Sequence, residues 1–166
     1  VGSEMCIRDS TRSERVSSEV SELVNKAVRE FKRQSGERVE VWVPQEQPVY
    51  IIVNPLEFEL VIINLLRNAA QALQELGVLN PKVALTIKRE DNKALIAIED
   101  NGHIEKEKIE KLSEPTNSTK ADGLGLGLQI VRSIIENHGG KIFFSQAASG
   151  GLRVEIRLPA EETTEQ

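Results

Sequence analysis

Two short stretches carry residue types and spacings that could do chemistry. In Asn64-Leu-Leu-Arg-Asn68-Ala-Ala the two carboxamides are four apart, so on a helix both project from one face. In Asp122-Gly-Leu-Gly-Leu-Gly-Leu128 the glycines Gly123, Gly125 and Gly127 strip side chains from a loop that runs into a helix. Backbone N–H groups of such a loop can approach an anion at the helix N-terminus. The alternating Leu124, Leu126 and Leu128 can plug the core while the glycines face the anion. Amide oxygens suit a hard cation that shares its shell with phosphates. The pair therefore points to a site for a magnesium-bound polyphosphate. The bland alternatives are amides that cross-link helices in a core and a flexible loop that merely caps a helix.

The elements that must position these residues are legible from period and punctuation. Val16, Val20, Leu23, Val24, Ala27, Val28 and Phe31 have helical spacing, and Gln34-Ser-Gly36 ends that helix. Val39–Val43 alternates as a strand, Pro44–Pro48 turns, and Val49–Val53 is a short apolar strand. Asn54-Pro55 opens a central helix with an N-cap, a proline at its first position and Glu57 where a capping-box acid stands. It runs to about Leu76 before Gly77, apolar on nearly all sides, and so reads as buried. Lys82–Glu90 and Lys93–Asp100 form a hairpin around Asp91-Asn92. Glu105–Leu112 is a short charged helix, Ser113–Gly127 a long polar loop of the kind that serves as a lid, and Leu128–Asn137 a helix closed by His138-Gly139-Gly140. Lys141–Gln146 and Leu152–Leu158 are the last strands. Helices and paired strands in this order predict an α+β sandwich with a mixed sheet, not a doubly wound fold.

Composition narrows the function. With 166 residues, 39% apolar and 28% charged, the chain fits one soluble globular domain, residues 16–159. Residues 1–15 read as a frayed extension and 160–166 as a disordered acidic tail. A net charge of −5 and no long basic run argue against a nucleic-acid partner. The one cysteine, Cys6, excludes an internal disulfide and a cysteine-cluster metal site. No apolar run is long enough to span a membrane and Val1–Ser10 has no signal-peptide pattern, so a reducing cytoplasmic setting and no membrane contact by this domain are expected.

Five motifs then occur in order: Asn64-x-x-x-Asn68-Ala, Asp100-x-Gly102, Glu114-Pro115 with Thr119-Lys120, Gly123-x-Gly125-x-Gly127-Leu, and Gly150-Gly151 before the last strand. Together they resemble the catalytic ATP-binding domain of bacterial sensor histidine kinases, in the GHKL ATPase superfamily, from about Val16 to Pro159. The resemblance implies a two-layer sandwich: a mixed five-stranded sheet backed by three helices, with ATP under a lid. It implies that Asn68 holds magnesium, that Asp100 accepts the exocyclic amine of adenine beside Gly102, that Lys120 neutralises the γ-phosphate, and that Gly123–Leu128 wraps the phosphates. Asn64 stands where hydrolytic relatives keep a glutamate base. An amide accepts no proton at neutral pH, so Asn64 fits phosphoryl donation to a protein side chain rather than hydrolysis.

Under that resemblance the chain would pass the γ-phosphoryl to a histidine on a dimerisation domain, and from there to a response regulator. Neither His103 nor His138 has the acceptor context, so the acceptor domain is expected outside this chain. Two departures stand out. Asp100-Asn-Gly102-His103-Ile104 lacks the second glycine usual there, and the segment from Asp100 to Pro115 looks one residue short. The lid carries Ser113, Thr116 and Asn117 in place of phenylalanines. These departures keep a pseudokinase scaffold open as the alternative. An ATP-hydrolysing clamp or a serine-directed anti-sigma-factor kinase is disfavoured by Asn64.

Overall fold

The computed structural model describes residues 14–44, 47–114 and 125–162, with backbone only at residues 125 and 126. A five-stranded mixed sheet has the order β2-β4-β5-β7-β6. Its strands are β2 (Glu40–Trp42), β4 (Lys82–Glu90), β5 (Lys93–Asp100), β6 (Lys141–Gln146) and β7 (Leu152–Pro159). Only β2 and β4 run parallel; the other neighbours are antiparallel hairpin or crossover pairs. Alternation holds in β4 and β7, where Val83, Leu85, Ile87, Val154, Ile156 and Leu158 are buried, while the central β5 is buried without a break from Ala94 to Ile98.

The helices are α1 (Val20–Ser35), α2 (Pro55–Glu75), α3 (Lys106–Ser113) and α4 (Gly125–Asn137). Helix α2 packs between α1 and α4, while the short α3 lies against β6. Among the described residues there are four helices, one more than the three the resemblance implied; the addition is the short charged helix after β5 that the sequence itself indicated. Asn54 caps α2 as read, its Oδ1 accepting from the Leu56 and Glu57 N–H groups at 3.0 and 3.2 Å. The capping-box role falls elsewhere. The backbone N–H of Asn54 donates to His138 Nε2 at 3.2 Å, and His138 Nδ1 donates to the Ile134 carbonyl at 2.7 Å. His138 therefore ties the start of α2 to the end of α4.

Three sequence expectations change. Val16–Glu19 is not the first turn of a helix but a strand, β1, paired antiparallel with β3 (Tyr50–Val53) in a separate two-stranded sheet. Glu19 ends it and caps α1, its carboxylate accepting from the Ser21 and Glu22 N–H groups at 3.1 Å each. The strands on either side of Pro44–Pro48 consequently lie in different sheets. Helix α2 is not buried all round: Leu56 and Leu60 are 66% and 42% exposed, one turn apart on the face that leads to Asn64.

Candidate functional site

Helix α2 delivers both carboxamides to the start of α4. A Cβ built on Gly127 would lie 3.6 Å from Asn64 Oδ1 and 3.7 Å from Asn68 Oδ1. No side chain at Gly127 fills the gap to the two amides, which is about the size of a methyl group, so a ligand oxygen could enter between them. Asn64 turns its Nδ2 back onto the Leu60 carbonyl at 3.0 Å. Asn68 does not: its Nδ2 is buried and, among the described residues, has no hydrogen-bond partner. A buried amide left so costs about 1–3 kcal/mol, which marks Asn68 as a group whose partner is not among the described residues.

Asp100 ends β5 and is buried. Gly102 N–H and Leu152 N–H both donate to its Oδ1, at 2.9 and 3.4 Å. Burial pushes its carboxyl above the ordinary aspartate range, and the two backbone donors pull it part of the way back. Since both bonds land on one oxygen, the other is left to accept from a ligand.

Asn68, Asp100 and Leu128 line a single cavity of about 360 Å³, walled also by Ile98, Leu152 and Val154. An apolar slot with a carboxylate on one wall and an unpaired amide on another suits a flat heterocycle bearing an amine donor and an anionic tail. His103, Glu105, Lys108 and Glu75 also border it, and His103 Nε2 lies 3.0 Å from Glu105 Oε1. The residues present also fit a hard cation: Asn68 can turn its amide to offer an oxygen, and phosphates and water would complete the shell. Among the described residues no cluster of three His, Cys, Asp or Glu side chains could hold a metal without a ligand's help.

The structure does not bring every predicted residue to the cavity. Asn64 faces Gly127 but does not line it. Gly102 supports Asp100 from the side, where an added Cβ would meet Asp100 Oδ1, Leu76 and Leu73 at 3.1–3.2 Å. Gly125 is the first residue of α4. Lys120, Gly123 and Leu124, the Leu126 side chain, and the lid residues Pro115 to Asn117 lie outside the described residues. So do residues 1–13 of the expected extension and 163–166 of the expected tail. Residues 160–162 are described: Ala160 bridges Ile51, and Glu161 N–H donates to the Tyr50 carbonyl at 2.8 Å.

Sequence reasoning missed the cavity wall from β7 and the part played by Gly151. A Cβ there would fall 2.2 Å from the Asp100 carbonyl oxygen and 2.3 Å from Asp100 Oδ1. The Gly150-Gly151 pair before an alternating strand was the available signal, but its partner lies far back in the chain, at the end of β5.

No helix among the described residues is long and apolar enough to cross a membrane. The model of the histidine kinase-, DNA gyrase B- and HSP90-like ATPase family matches residues 53–162. The sensor protein TdiS of Thauera aromatica is 38% identical over 110 residues, 63% of this chain and 20% of TdiS. Sporulation kinase B of Bacillus subtilis is 34% identical over 125 residues, 74% of this chain and 28% of that kinase. This chain therefore spans well under a third of the length of either relative. Among solved structures, the nucleotide-free catalytic domain of histidine kinase ThkA aligns with a TM-score of 0.73 and 26% identity, over 88% of this chain and 95% of that one.

Proposed function

Because this chain belongs to the histidine kinase-, DNA gyrase B- and HSP90-like ATPase family, as a catalytic domain of the sensor histidine kinase kind, we propose that it binds magnesium–ATP in the cavity between α2, α4 and β7 and donates the γ-phosphoryl group to a histidine. The observation that supports this reading is the Asn68 amide nitrogen, without a partner among the described residues, beside Gly127 at the start of α4 and in one cavity with the buried Asp100.

Each residue then has a part. Asp100 accepts the exocyclic amine of adenine through its free oxygen, and Ile98, Leu128, Leu152 and Val154 enclose the ring. Asn68 holds magnesium, which when bound neutralises charge on the phosphate oxygens. The N-terminal turn of α4, with Gly125 and Gly127, approaches the phosphates through its N–H groups, where the helix dipole favours anions. Gly123, Leu124 and Lys120 extend that cradle, Lys120 against the γ-phosphate. Asn64 stands beside Gly127, outside the cavity lining, and takes no proton, so water is not activated. An acceptor imidazole attacks through its unprotonated nitrogen; the N–P bond forms as the bond from phosphorus to the ADP oxygen breaks. Catalysis is positioning and charge neutralisation.

The acceptor histidine belongs to a dimerisation domain and the next acceptor is a response regulator, with the domain working in the cytoplasm. Neither nucleic acid nor membrane is its partner. Calorimetry with ATP and GTP, with and without magnesium, tests the binding step. ATP is expected to bind at least tenfold more tightly than GTP, and magnesium to strengthen it; each tenfold is about 1.4 kcal/mol. Equal affinities for the two nucleotides would overturn the assignment.

A further inference from the structure

The loop Asp100–Ile104 is one of the two stretches in which the sequence departs from the pattern it resembles, lacking a second glycine. The turn between β6 and β7 grips it on several sides. Ser149 Oγ donates to the Asp100 carbonyl at 3.1 Å. Gln146 Nε2 donates to both the Ile104 and the Gly150 carbonyls at 3.2 Å. Ile104 N–H donates to the same Gly150 carbonyl at 3.1 Å, so that oxygen holds the loop directly once and also receives the turn's own Gln146. Gly151 lies flat against Asp100, and Leu152 N–H reaches its carboxylate. The turn itself is closed by Ala147 N–H to the Gly151 carbonyl and Gly150 N–H to the Ala147 carbonyl, at 2.7 and 2.9 Å.

Two features of this arrangement matter. Every tether lands on the backbone or carboxylate of the Asp100–Ile104 loop or on the turn's own backbone, and none reaches Asn64, Asn68 or α4. Gln146 and Ser149 are also exposed residues, so the core does not depend on them for packing. A shortened loop without its second glycine has fewer backbone conformations of its own that aim a carboxylate into a slot. Side-chain tethers from a neighbouring turn can supply that aim instead.

We propose that Gln146 and Ser149 are positioning residues for base recognition, which hold the Asp100 carboxylate at the angle from which it meets the exocyclic amine of the bound adenine. The inference rests on the adenine-reading role proposed for Asp100, and it names residues outside the motifs read from the sequence as supports of the base preference that Asp100 confers.

The test separates the base end from the phosphate end. Three probes are used in competition calorimetry: ATP, purine riboside triphosphate (the same nucleotide without the exocyclic amine) and inorganic tripolyphosphate, all with magnesium. The wild-type chain is expected to prefer ATP over purine riboside triphosphate by about tenfold or more, the range of one hydrogen bond to a charged acceptor. In Gln146→Leu and Ser149→Ala that preference is expected to fall about threefold each, and in the double variant nearly to none. Tripolyphosphate affinity and the melting temperature stay at wild-type values, and Ser149→Thr, which keeps the hydroxyl, keeps the preference. A double variant that still prefers ATP as strongly as wild type overturns the inference while leaving the base reading intact. Parallel losses for all three probes overturn it too, because they show a general structural role. A wild-type chain that does not distinguish the two nucleotides overturns the base reading and this inference with it.

Discussion

Replacing Asp100 by asparagine should separate binding from stability in opposite directions. Asparagine has the same shape, and its Oδ1 can still accept from Gly102 and Leu152 N–H. What changes is the second oxygen, which becomes an N–H₂ donor facing the place of the adenine amine, itself a donor. The bond lost to a charged acceptor is worth about 1.5–3 kcal/mol, and two donors left face to face cost about 1–3 kcal/mol more. At about 1.4 kcal/mol per tenfold, ATP affinity should fall by roughly two to four orders of magnitude. Stability moves the other way. Burial raises the folded-state pKa of Asp100 above its unfolded value. The folded protein therefore binds more protons than the unfolded chain between those two values, and stability falls as pH rises through that window. Above it the buried charge is a standing cost, which asparagine removes.

Denaturant melts of Asp100→Asn at neutral pH should therefore show a midpoint at or above wild type. The difference should shrink as the pH is lowered into the carboxylate range, where wild-type Asp100 becomes neutral. Calorimetry should show the binding loss at the same pH at which stability is gained. An asparagine variant that binds ATP within twofold of wild type would refute the role of the carboxylate. One that is clearly less stable at neutral pH would refute the claim that its charge is a burden on the fold.

Gly127→Ala should keep or raise the melting temperature, since its Cβ meets the amides at ordinary contact distances of 3.6–3.8 Å and alanine favours a helix by about 1 kcal/mol. The same methyl fills the space a phosphate would enter, so ATP affinity should drop at least about tenfold, about 1.4 kcal/mol; unchanged calorimetry would count against the cradle. Gly151→Ala should destabilise by about 3 kcal/mol or more, because its Cβ would sit 2.2 Å from a backbone oxygen; a soluble variant with a wild-type melt is the contrary result. Asn68→Ala should abolish the strengthening of ATP binding by magnesium while leaving the fold stable, as it removes a buried amide with no partner among the described residues. Titrations in magnesium and in chelator decide it. Thr116→Phe, in the lid stretch outside the described residues, should tighten ATP binding by restoring an aromatic anchor; equal affinities would show that the anchor is dispensable.

Much of the fold could be read locally because its causes are local. The Asn54-Pro55 start of α2, the alternation in β4 and β7, and the Asp91-Asn92 turn, with Asp91 at φ 53°, each depend on a few adjacent residues. The four-residue spacing of Asn64 and Asn68 likewise needs only a helix to put both amides on one side. What escaped depends on partners far along the chain. Val16–Glu19 shares a helical apolar spacing with α1, yet backbone pairing with Tyr50–Val53 makes it a strand. Glu57 has the spacing of a capping box, but an imidazole from the far end of α4 takes the Asn54 N–H instead. Leu56 and Leu60 look like core residues because hydrophobicity alone does not say which face a neighbour covers. Gly151 carries no mark in its own neighbourhood of the carboxylate pressed against it. Local rules were enough to single out candidate residues for a polyphosphate site, since capping, period and glycine content act within a turn or two. Only the close approach of α2, α4, β5 and β7 decided that Asn68, Asp100 and Leu128 share one cavity, because burial and steric contact are properties of the packed chain.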